Sequence, residues 1–197
     1  MMTDVPNDHL SIEKRSGLPE EWRFLLLSYP RSDWLSHASL GEHTKFWLQV
    51  HRSFRMMGAH LNERTDAYES GIVTAEQFRH TMVRRLQNFL GSLDHHHRIE
   101  DHVFFPKFME AEKRLVAGIE LLEADHTVID AQVHAMVDVA NALLRSPASD
   151  KDALKRNGED FAIASRRIVK LLDRHLDDEE EIVIPLLLDR GEEELMT

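Results

Sequence analysis

The sequence predicts an all-α protein: an up-down-up-down four-helix bundle of long helices preceded by an N-terminal extension. Three observations lead there. Apolar residues recur at three- and four-residue intervals over long stretches, the spacing that lines one face of a helix. β-branched residues are scattered, and no segment alternates cleanly as a half-buried strand would. Gly and Pro number only eight and six in 197 residues, too few to punctuate a series of short strands.

The extension comes first, residues 1–32, punctuated by Gly17, Pro19 and Pro30. Its Trp22-Arg23-Phe24-Leu25-Leu26-Leu27 run is too apolar for a free tail and is expected to pack across the bundle or onto another subunit. Residues 33–197 form the bundle domain. Its first helix runs from about Asp33 to Arg64, with Phe46, Trp47, Val50, Phe54, Met57 and Leu61 as the apolar stripe, and ends in a polar loop reaching Gly71. The second begins at Thr74, where Thr74 and Gln77 have capping-box spacing. It continues through Phe78, Met82, Leu86, Phe89, Leu93 and Phe104 to about Glu112. The third covers about Arg114 to Arg145 and stops at Ser146-Pro147. The fourth runs from about Asp150 to Asp189, with Gly158 as a weak point.

Composition narrows the function. Hydrophobic residues at 42% and charged residues at 30% match an ordinary globular chain. The absence of cysteine excludes disulfides, thiolate metal sites and a Cys nucleophile. A net charge of −11 argues against a nucleic-acid partner, because phosphate binding needs clustered Lys and Arg. No window approaches 18 uninterrupted apolar residues, so no membrane span is expected. The start carries no basic segment followed by an apolar one, which makes a cytoplasmic protein the expectation. Acid gathers late in the chain, at Asp173, Asp177, Asp178, Glu179, Glu180, Glu181, Asp189, Glu192, Glu193 and Glu194, and most of it reads as a solvated face.

The 13 histidines are more informative. The second helix contains His96-His97-Arg98-Ile99-Glu100-Asp101-His102-Val103-Phe104-Phe105-Pro106, and the fourth His175-Leu176-Asp177-Asp178-Glu179-Glu180-Glu181-Ile182-Val183-Ile184-Pro185. Aligned, both read His-x-x-x-Glu-acid-x-aliphatic-apolar-apolar-Pro. Four residues advance a helix by about 400°, so each pair puts an imidazole and a carboxylate on one face. Facing a bundle interior, such a pair is costly to bury without a partner, and a metal ion supplies one. The odd-numbered helices repeat more weakly, with His51 and His126 each among apolar neighbours. His43 is the rival to His51 on the first helix. Four helices converging on one interior would contribute His51, His96, Glu100, His126, His175 and Glu179. Six N/O ligands exceed a tetrahedral structural zinc site and suit two metal ions bridged by carboxylates, with iron or manganese compatible. His97 and Asp101 also sit four apart, about 100° around from His96 and Glu100, and read as supporting or surface residues with ligation as the alternative.

The order His … His-x-x-x-Glu … His … His-x-x-x-Glu, with its apolar-apolar-Pro tails, resembles the hemerythrin-like, His-His-Glu cation-binding domain over about residues 35–190. The resemblance implies two iron ions in an Fe–O–Fe type centre, with Glu100 and Glu179 bridging and the four His completing the set. Manganese or zinc are the other metals to weigh. It implies a small-molecule partner at the metal centre: oxygen, peroxide or nitric oxide. One departure stands out. Oxygen-carrying members have two His four residues apart on the third helix, whereas here the residue four after His126 is Asp130. Asp130 would either ligate as a carboxylate or hydrogen-bond a ligand His, and its presence weighs against an oxygen carrier.

The leading expectation is a non-heme di-iron binding protein that binds or senses oxygen or a related small molecule, in oxygen, redox or iron response. The alternative is a di-iron enzyme that consumes peroxide or nitric oxide, or acts as an oxidase, on the same ligands. A ferritin-like carboxylate site needs two Glu-x-x-His motifs, and this chain has only Glu123-Ala124-Asp125-His126. A metal-free helical interaction protein would leave the duplicated motif unexplained. With no output domain visible, signalling would pass through a protein partner or homodimer engaging residues 1–32.

Overall fold

The structure, a computed structural model, describes residues 8–196 apart from the side chains of residues 8 and 82–85. Residues 1–7 of the extension and the Met82 side chain of the second stripe therefore lie outside the described residues. The protein is all-α, with no strand among the described residues. The helices are α1 (Glu42–Glu69), α2 (Ala75–Ile99), α3 (Phe105–Ala111), α4 (Val116–Arg145), α5 (Lys151–Arg190) and a short α6 (Glu192–Leu195). Single 3-10 turns occupy the extension, and a π turn at Glu100–Phe104 joins α2 to α3.

Local chemistry explains most boundaries. Gln77 N–H donates to Thr74 Oγ1 at 3.3 Å while Thr74 N–H donates to Gln77 Oε1 at 3.0 Å, the reciprocal capping box the sequence shows. Gly71, at φ +72°, takes the left-handed turn that closes α1. The polar stretch before it, expected as loop, is helical to Glu69 because Arg166 pairs with both Asp66 and Glu69.

The start of α1 differs from expectation, falling at Glu42 rather than near Asp33. Trp34 sits in a 3-10 turn, buried, with its indole N–H on Tyr29 O at 2.7 Å, and the Asp33 side chain caps nothing. The cap comes from the far end of the chain. Glu192 accepts from the His43 and Thr44 backbone N–H groups at 3.3 and 3.0 Å and from the Thr44 hydroxyl at 3.0 Å. A carboxylate there also meets the positive end of the helix dipole. Gly41 leaves room for it, since a Cβ at that position would collide with the Glu192 carboxylate.

The described chain divides into two compact units. Residues 8–51, 97–127 and 173–196 form the first, residues 52–96 and 128–172 the second. The first packs Trp34, Trp47, Phe105, Phe108, Ile119 and Leu122 against the Ile182–Leu188 stretch of α5. That stretch is buried on every side, as a helix apolar all round must be. Trp22, Phe24, Leu25 and Leu26 of the extension pack on this same core, whereas Leu27 is 90% exposed. In the second unit Phe78 meets Phe161 edge-on at 5.3 Å and stacks on Tyr68 at 4.8 Å. Gly158 does not weaken α5, which is continuous to Arg190; it makes space for the Tyr68 ring, which a Cβ would strike.

Candidate metal centre

The first unit gathers His51, His97, Glu100, His126, His175 and Glu179, all buried. α1 supplies His51, the end of α2 with its π turn supplies His97 and Glu100, α4 supplies His126, and α5 supplies His175 and Glu179. The π turn lies at Glu100 itself, where Phe105 N–H bonds the Glu100 carbonyl five residues back. Pro106 follows inside α3, while the second motif copy keeps regular α-helix through Pro185. The two copies thus match in sequence and differ in backbone.

The imidazoles are aimed by carboxylates. His126 Nδ1 lies 2.7 Å from Asp101, His51 Nδ1 3.1 Å from Glu180, and His175 Nδ1 3.5 Å from Asp125. A carboxylate oxygen accepts and does not donate, so each Nδ1 carries a proton and each Nε2 is turned inward. There the Nε2 atoms of His126 and His175 face one another at 3.0 Å. His51 Nε2 lies 3.3 Å and His175 Nε2 3.4 Å from opposite oxygens of Glu179, and His126 Nε2 lies 3.5 Å from Glu100. Donor atoms of His97, Glu100, His126 and His175 lie within 4.8 Å of one another, and so do those of His51, Glu100 and Glu179. Glu100 belongs to both sets.

Burial and neighbours push these groups apart in pKa. Burial raises Glu100 well above the carboxylate range, and repulsion from Glu179 adds to it. Burial works the same way on Glu179, but His51 and His175 overcome it and hold that carboxylate well below its ordinary value. Burial disfavours a charged His175, yet the facing carboxylates of Asp125 and Glu179 raise it to about 9. His51 is likewise raised, by Glu179 and Glu180 against burial. His126 is lowered, mainly by burial. Glu179 Oε2 is buried with no hydrogen bond, a lone pair aimed into the cluster. Inward imidazole nitrogens, two buried carboxylates and this orphaned oxygen fit metal ions.

A family model for the hemerythrin HHE cation-binding domain matches residues 42–194. The chain belongs to the hemerythrin HHE cation-binding family. No match is found among curated proteins or among solved structures.

Several residues of this hemerythrin-like domain stand differently from their sequence reading. Asp130 is exposed and sits in the second unit, 3.5 Å from His134 on its own helix; one position past buried Ile129, it has rotated out of the interior. His97, expected at the margin, is buried and stacks on His126 at 4.0 Å, because the inward arc of a helix is wide enough for two successive residues. Asp101 orients His126 and is only partly exposed. His96 ends the second unit, with its ring 5.1 Å from Phe54. His43 is largely exposed at the start of α1.

Within the acidic run Asp173, Asp189, Glu193 and Glu194 are exposed, whereas Asp178 and Glu180 are buried beside the inward Glu179 and Glu192 caps α1. Sequence reasoning also passed over Trp47, whose indole N–H donates to Glu179 Oε1 at 2.6 Å, and Asp125. Signals existed for both. Trp47 lies one turn before His51 on the same face, and Asp125 immediately precedes His126.

Proposed function

We propose that this domain holds two iron ions and uses them to bind or sense oxygen or a related small molecule. The observation that carries the reading is the meeting of inward Nε2 atoms with two fully buried carboxylates, one of them common to two donor sets. His97, His126 and His175 would hold one ion and His51 with Glu179 the other, with Glu100 common to both sets. Bound iron would supply the open coordination position at which the small molecule sits. The chain's own part is to fix the imidazoles through Glu180, Asp101 and Asp125 and to exclude water. Trp47 packs edge-on against Phe104 at 5.2 Å, and Phe105 stacks over His126 at 5.6 Å, making one side of the centre apolar.

The test is to purify the protein without added metal or chelator, count iron, manganese and zinc per chain, and record an electronic spectrum in air. About two irons per chain, with near-ultraviolet absorption of an oxygen-bridged iron pair, supports the reading. Absence of bound metal after anaerobic reconstitution with ferrous iron sinks it. Turnover of peroxide or nitric oxide by the loaded protein would move the role from binding or sensing to catalysis.

A further inference from the structure

The family match begins at residue 42, yet three arginines that precede it reach into the acidic interior of the first unit. Arg15 is 7% exposed. Its Nη1 donates to Asp125 Oδ1 at 2.8 Å, its Nη2 pairs with Asp125 Oδ2, and its Nε donates to Asp178 at 2.7 Å. Asp125 Oδ2 is in turn the oxygen facing His175 Nδ1. Arg31 likewise reaches a carboxylate that meets a buried histidine. Its Nη1 donates to Glu180 Oε2 at 2.8 Å, and Glu180 Oε1 lies 3.1 Å from His51 Nδ1. Arg23 pairs with the next acid, Glu181, at 2.9 Å.

We infer that residues 8–40 are a strap that completes the metal centre, and that Arg15 and Arg31 are positioning residues acting through Asp125 on His175 and through Glu180 on His51. The physical need is plain. Asp125, Asp178, Glu179 and Glu180 are all buried, and uncompensated buried carboxylates are costly. Arg15 grips both oxygens of Asp125 and Arg31 grips Oε2 of Glu180, which fixes each carboxylate, so the imidazole it meets is held in one rotamer and one tautomer. Lysine would neutralise the charge without the fork. The inference rests on His51 and His175 being ligands of the proposed centre. Its first readout is nevertheless independent of any metal.

That readout is the Nδ1–H signal of each buried histidine in the metal-free, full-length protein labelled with 15N-histidine. Arg31 is partly exposed and is replaced as Arg31→Met; Arg15 is buried and is replaced as Arg15→Lys, which keeps a cation. Arg31→Met should shift the His51 signal and leave His175 in place, and Arg15→Lys should do the reverse. In the loaded protein each substitution should weaken iron binding about 10–100-fold in chelator competition. Unchanged imidazole signals overturn the inference. So does a common shift of both signals in both variants, which marks a general structural role. If the unsubstituted protein binds no iron, the proposed centre fails, while the selective imidazole shifts still decide whether Arg15 acts through Asp125 on His175 and Arg31 through Glu180 on His51.

Discussion

His97 and Asp130 show how one residue's place on a helix settles its chemistry. Both were candidates for a ligand beyond the six, and only His97 is carried into the buried cluster, stacked on His126. Asp130 lies more than half exposed beside His134. The expected outcomes differ accordingly. His97→Leu should weaken iron binding by at least about tenfold, as loss of a ligand or of the group that orients one does. Asp130→Ala should leave iron content unchanged and stability within about 0.5 kcal/mol, as befits a surface position. Metal analysis and urea unfolding of the two variants check this, and iron loss in Asp130→Ala would restore that residue to the centre. Neither outcome could be read from spacing. A four-residue interval leaves Asp130 about 40° around from His126, on the side away from the buried Leu122, Ile129 and Met136, so it falls just outside the interior arc.

At the scale of elements, two features run against local sequence preference. Gly158 in the middle of α5 invites replacement by Ala, which favours helix by roughly 1 kcal/mol. The Tyr68 ring occupies the space the new methyl group would need, so Gly158→Ala should instead destabilise by about 1–3 kcal/mol in urea unfolding. A net gain would show that Tyr68 moves aside freely. The second feature is the cap of α1 by Glu192. Burial opposes ionisation of that carboxylate, but hydrogen bonds from Thr44 and His43 prevail and hold its pKa below the ordinary 4.5. A group depressed in the folded state contributes stability above its unfolded pKa and loses it as pH falls through the folded one. The stability difference between the natural chain and Glu192→Gln should therefore be about 1 kcal/mol at neutral pH and vanish in acid below the carboxylate range. A pH-independent difference would refute the charge-based account.

For the molecule as a whole, the cost of the centre is distributed through the first unit. Burying Glu100, Glu179, Asp178, Glu180 and Asp125 works against folding, and the arginines of residues 8–40 offset part of that. Metal binding would offset more. Ferrous iron added anaerobically at about a thousandfold excess over its dissociation constant should raise unfolding free energy by about 4 kcal/mol. A Glu100→Ala, Glu179→Ala variant should show no such gain. Thermal unfolding with and without iron distinguishes the two, and an equal response in both would place the metal elsewhere. No helix among the described residues is long and apolar enough to cross a membrane.

What the sequence by itself determined is what local spacing encodes. The all-α class follows from helical periodicity, the start of α2 from the Thr74–Gln77 box, and membership of the hemerythrin HHE family from two His-x-x-x-Glu copies with matching tails. Those features depend on neighbours within one or two turns, so they are legible without a fold. The tertiary structure alone decided the rest. It buried Asp178 and Glu180 beside the inward Glu179 within an acidic run that otherwise stays at or near the surface, chose His97 over Asp130 for the cluster, and brought Arg15, Arg31 and Glu192 to partners more than 100 residues away. The physical reason is common to all of these. Whether a charge is buried, and what neutralises it there, depends on segments that meet only when the chain has folded.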